Sequence, residues 1–142
     1  MARPLHFPNA FRAIRTRLGL LQKTVALELR VDPAVLCSIE KGARAPLDDT
    51  VLAEAARLFR LTNVELAELC WAARHDRMVS TLSNRGATDE EVELISAALF
   101  ASHHLRSEQL DGLIYSMRRV GESAQLVSSL TSPQGGLEVS MT

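Results

Sequence analysis

Residues 22–42, QKTVALELRVDPAVLCSIEKG, decide the reading of the whole chain. Val25, Ala26 and Leu29 recur at helical spacing in the first half, and Leu36 and Ile39 do so in the second. Between them Asp32 is placed to cap a helix start. Pro33 takes the first helical position, where a missing N–H forfeits no helical hydrogen bond. The spacing predicts two short amphipathic helices around a tight turn, with the small Ala26 where they cross closely. A helix-turn-helix has this spacing.

Outside that stretch, composition sets the class. A chain of 142 residues is long enough for one compact domain, or a small one with an appendage. An apolar share of 46% with only 4% aromatic suits packed helices better than a sandwich. No apolar run approaches the roughly 20 residues of a membrane span, and MARPLHFPNAFR lacks a signal-peptide core. No membrane partner and a cytoplasmic location are the expectations. Cys37 and Cys70 have neither CxxC nor metal-ligand spacing, so reduced thiols are expected. Charge is unevenly spread: residues 1–60 hold ten Lys/Arg against six Asp/Glu, whereas 61–142 hold six against eleven. The positive half contains the two-helix stretch, which points its field at phosphate.

The rest of the chain divides around this centre. Residues 1–8 read as an arm, and residues 9–77 as a domain of five short helices. Asn9 is expected to cap a first helix over Ala10–Leu18, with Phe11, Ile14 and Leu18 as its buried stripe. Gly42 suits a left-handed helix end. Asp48 or Asp49 then caps a fourth helix carrying Leu52, Ala55, Ala56 and Phe59, and a fifth starts near Asn63 with Leu66, Leu69, Cys70 and Trp71 on one face. The Ser, Asn, Arg and Gly of residues 78–87 suggest a linker. Thr88 to Glu91 form a capping-box pattern opening a C-terminal helical segment over 88–130, with a second helix starting near Ser107. A disordered tail is expected over 131–142. The fold class is therefore all-α.

At this point the sequence resembles the phage-repressor (Cro, or XRE-type) helix-turn-helix family. The matching positions are Gln22, Val25-Ala26, Leu29, Val31, Leu36, Ile39-Glu40 and Gly42, and the resemblance covers roughly Phe11 to Leu69. It implies a repressor-like domain whose second motif helix enters the major groove. It further implies that Gln22 donates to a phosphate and that Arg15 pairs with Glu40 to bridge the first and third helices. Arg30 stands where the family usually has a left-handed glycine, at a cost on the order of 1 kcal/mol. Family members generally act as homodimers on inverted half-sites about 34 Å apart.

On this reading the base-facing residues are Pro33, Ala34, Val35, Cys37, Ser38 and Lys41, and the phosphate candidates are Gln22, Lys23, Arg12, Arg17, Arg30 and Arg44. The base-facing set lacks the Gln, Asn or Arg that makes bidentate contacts. Direct readout is then thin, and shape readout must supply part of any selectivity. Val92, Ile95, Leu99, Leu110, Leu113, Ile114 and Met117 form apolar stripes that either dimerise or pack back as core.

The expected function is a transcriptional regulator, a repressor by the commoner outcome in the family, binding double-stranded DNA as a homodimer. The competing reading is a protein-interaction module, such as an antitoxin or anti-activator, that holds a partner protein through the C-terminal helices. His103, His104 and His75 read as surface histidines rather than metal ligands, because adjacent histidines diverge by about 100° on a helix. No Ser-His-Asp, paired-carboxylate or phosphate-loop spacing supports catalysis, so neither an enzyme nor a cofactor is expected. Cys37 reads as passive rather than as a redox switch.

Overall fold

The computed structural model describes residues 4–131, and all regular structure among them is helical. The helices are α1 (Phe7–Arg17), α2 (Gln22–Leu29), α3 (Pro33–Glu40), α4 (Asp49–Leu58), α5 (Asn63–Asn84), α6 (Asp89–His104) and α7 (Ser107–Thr131). Two compact units divide the chain, residues 1–100 and residues 101–142. The expected tail from Ser132 onward lies outside the described residues, as do residues 1–3.

In the first unit, α1 packs on α3 and α5, α2 on α3 and α4, and α4 on α5. The centre is apolar: Phe7, Val25, Ala26, Leu36, Leu52, Leu69 and Ala73 are almost wholly removed from water. Ala26 is fully buried between helices, as a close crossing requires. Helix starts follow local hydrogen-bond chemistry. Asp48, rather than Asp49, accepts from the Val51 N–H to open α4. Thr62 and Glu65 exchange backbone and side-chain hydrogen bonds to open α5, and Thr88 and Glu91 do the same ahead of α6. Each reciprocal box satisfies two N–H groups that a helix start leaves orphaned.

Two boundaries differ from the sequence expectation. The linker expected over 78–87 is instead helix as far as Asn84, because Val79 is fully buried and continues the inward stripe of α5. Ser80, Ser83 and Asn84 are tolerated there. The chain turns only at Gly86, whose φ of 96° is left-handed. The N-terminal arm is also shorter than 1–8. Phe7 is fully buried, and α1 begins with it, three residues before Ala10. Asn9 does not cap this helix. The Asp76 carboxylate on α5 accepts from the His6 and Phe7 N–H groups, both at 2.8 Å, and Asn9 instead lies 3.5 Å from Arg12.

Candidate nucleic-acid interface

The geometry of α2, the turn and α3 follows from four residues. Arg30 ends α2 in the left-handed conformation, φ 57° and ψ 40°, and Val31 N–H donates to the Ala26 carbonyl at 2.9 Å. Asp32 Oδ1 then accepts from the Ala34 N–H at 2.8 Å, with Pro33 at the start of α3. At the far end Gly42 adopts φ 76°, and Ala43 N–H closes on the Ser38 carbonyl. A Cβ at Gly42 would stand 3.1 Å from Leu5 Cδ1, so both backbone sign and close approach favour glycine.

The pair expected between Arg15 and Glu40 is present and bidentate. Arg15 Nε and Nη2 donate to the two Glu40 carboxylate oxygens at 2.8 Å each, and Nη1 donates to the Leu20 carbonyl at 2.9 Å. Glu40 is only 2% exposed. Arg12 joins the same node: its guanidinium donates to the Glu40 carbonyl, and its Nε lies 3.8 Å from Oε1. The end of α3 is thus tied to α1 by two arginines.

The residues expected to face bases are not equally available. Pro33, Ala34 and Lys41 are exposed, whereas Cys37 and Ser38 are half-buried. Val35 packs partly against the core, which lessens its place in the expected set. Among the phosphate candidates, Lys23, Arg30 and Arg44 are exposed and Gln22 is half-buried at the first turn of α2. Arg12 is drawn toward Glu40, and Arg17 is ion-paired with Glu65. Arg30 shares a cleft with Glu28, Glu54 and Arg57. The Glu54 carboxyl is held below its usual range by its hydrogen bond to Arg57, and the charges of Arg57 and Arg30 add to that. An arginine already facing carboxylates is a weaker phosphate donor than the sequence alone suggested.

No protein family, curated protein or solved structure matches the chain.

A second polar cluster lies under α1, and the sequence reading missed it. His75 is buried rather than on the surface. Its Nδ1 lies 2.8 Å from Asp76 Oδ1 and its Nε2 lies 2.7 Å from Ser96 Oγ on α6. A Ser-His-Asp line therefore exists that no spacing in the sequence displays, because the fold brings together residues 21 apart. His6 closes the cluster, its ring edge-on to His75 at 4.5 Å and stacked with Phe100 at 5.8 Å. Burial lowers the pKa of His6, and the neighbouring His75 lowers it further against an opposing pull from Asp76. One signal was readable: Leu69, Ala72, Ala73, Asp76 and Val79 share one helical stripe, so Asp76 is a carboxylate among core positions.

The apolar C-terminal residues separate into two groups. Val92 is buried and Leu99 packs against the first unit's core, so these two are core rather than interface. Ile95 is half-buried. On α7, Leu110 and Leu113 are half-buried, whereas Ile114 and Met117 are exposed.

Proposed function

We propose that this protein is a DNA-binding transcriptional regulator of the Cro or XRE helix-turn-helix kind, with α3 as the recognition helix and α2 crossing the phosphate backbone. The observation that carries this reading is the α2–turn–α3 unit itself. Asp32 and Pro33 fix the start of α3, the left-handed Arg30 sets the turn, and Arg15 with Arg12 anchors the far end. The exposed side of α3 then presents Pro33, Ala34 and Lys41, with Ser38 and Cys37 partly accessible.

Gln22 at the N-terminus of α2 would donate to a phosphate, helped by the helix dipole, and Lys23, Lys41 and Arg44 would add charge. Ala34 suits a thymine methyl, and Ser38 hydrogen-bonds to several bases. Two copies would span an inverted repeat, and the regulatory sign by this reading is repression. No catalytic role is assigned to Ser96, His75 and Asp76. Ser96 is only 6% exposed and lies mid-helix, where neighbouring N–H groups serve the helix ladder rather than an oxyanion. The cluster acts as a clasp.

The test is selection of bound sequences from a random duplex pool at physiological salt, using the full chain. An enriched inverted repeat supports the regulator. Failure to enrich any sequence, with the protein folded, sinks it. One observation favours the second reading, a module that captures a partner protein: Tyr115, Val120, Leu126, Val127 and Leu130 of α7 are all more than half exposed. Copurification of a companion that is lost on truncation of α7, with no DNA enrichment, would favour it.

A further inference from the structure

Helix α7 is 25 residues long and buries no side chain fully, only Leu110 and Leu113 being half-buried. It also carries Gly112 and Gly121, each costing about 1 kcal/mol against alanine in a helix interior. Helices get most of their stability from packing an amphipathic face, so α7 as it stands calls for a cover. Six of its apolar residues repeat in heptads, while Tyr115, Leu126 and Leu130 lie off that seam. Leu110, Met117 and Ala124 fall at one seam position and Leu113, Val120 and Val127 at the other. Every charge on the helix, Glu108, Asp111, Arg118, Arg119 and Glu122, falls on the opposite side.

We infer that this seam binds the α7 of a second copy, running antiparallel. This rests on the dimeric part of the reading above and names the surface that forms the dimer. The seam is its own complement when reversed. Leu110 then faces Val127, Leu113 faces Ala124, and Met117 faces Val120, so each layer combines a longer side chain with a shorter one. Flanking the seam, Ile114 comes opposite Gly121. Facing large with small keeps layer volumes even, whereas parallel pairing would stack Leu113 on Leu113 and Ala124 on Ala124. A seam without charge over almost three heptads also leaves no acidic or basic group to be stranded on burial.

Sedimentation velocity and light scattering on the full chain test the pairing. The expected mass is that of two chains, and Val120→Lys should convert it to one. Val120 is 70% exposed, so this change removes little contact within the chain. Leu126→Lys, on the charged side, should leave the dimer intact, which controls for an effect of added charge. A wild-type monomer overturns the inference, as does a dimer indifferent to Val120→Lys. For direction, mixing Leu113→Cys and Ala124→Cys chains under mild oxidation should give a cross-link between the two variants. An equally efficient link within the Ala124→Cys chain alone, absent from wild type, overturns the antiparallel arrangement. A dimer that enriches no DNA sequence would leave this pairing standing while sinking the regulatory reading, and a monomer that enriches one would do the reverse.

Discussion

Replacing Arg15 by alanine is the sharpest test of what holds α3 in place. The change removes both hydrogen bonds to the Glu40 carboxylate and the one to the Leu20 carbonyl. Glu40 remains, 2% exposed, with only Arg12 Nε at 3.8 Å to face its carboxyl. Breaking a buried ion pair from one side typically costs about 3–5 kcal/mol. That is a large share of the roughly 5–15 kcal/mol that keeps a domain folded. For a chain of this size Tm should fall by roughly 10–20 °C. Arg12→Ala should cost about 1 kcal/mol, because its side chain is 46% exposed and water replaces much of what is lost. The assay is urea unfolding followed by far-UV circular dichroism, with the slope checked for two-state behaviour. The double change Arg15→Met with Glu40→Leu removes both charges and should recover much of the single-variant loss. Equal costs for Arg15→Ala and Arg12→Ala, or a double variant whose cost is the sum of its parts, would refute the stranded-carboxylate argument.

Asp76→Ala should cost about 3 kcal/mol or more by urea unfolding, since it strands the His6 and Phe7 N–H groups together with His75 Nδ1; a cost under about 1 kcal/mol would mean that α1 needs no cap from α5. His6 has a lowered pKa in the folded state, so the unfolded chain takes up its proton first. Stability should therefore fall as pH drops below about 6.5 toward the folded value, and stay level above it with respect to this group. In His6→Gln that part of the slope should vanish, and an unchanged urea midpoint profile between neutral and mildly acid pH would dismiss His6 as its source. Asp32→Ala should cost about 1 kcal/mol through loss of the α3 cap, read as a shift in urea midpoint at constant slope. Gln22→Ala should weaken binding to all duplexes alike, while Ser38→Ala should change preference among them; identical effects on competition binding would undo the assigned division of roles.

Much of the fold was legible because its rules are local. The Asp32-Pro33 start, the left-handed position at Gly42, and the Thr88 capping box each depend on residues a few places apart, whereas the left-handed Arg30 was expected only from the family resemblance. The bidentate Arg15–Glu40 contact was legible only through the family resemblance, since nothing local links residues 25 apart. What escaped was long-range. The cap of α1 comes from Asp76, about 70 residues away, so Asn9 looked like the better candidate. Ser80, Ser83 and Asn84 carry loop-like chemistry, yet the buried Val79 just before them keeps α5 helical. Arg17 and Arg12 read as free cations until the fold put Glu65 and Glu40 beside them.

These engaged arginines bear on how the proposed interface would work. If Arg12 and Arg17 spend their charge within the chain, the phosphate-facing charge rests chiefly on Lys23, Lys41 and Arg44. Each phosphate neutralised contributes a slope of about −0.9 to the dependence of log affinity on log salt. A single domain using these three cations should therefore show a slope of roughly −3, and a dimer roughly −5 to −6, whereas adding Arg12, Arg17 and Arg30 would double either figure. Salt titration of binding to an enriched duplex separates the two cases. In Glu65→Gln, which releases Arg17, the slope should steepen by about 1 per domain if Arg17 then reaches a phosphate. An unchanged slope would place Arg17 off the DNA path altogether, and its ion pair would then be a tie between α1 and α5 and nothing more.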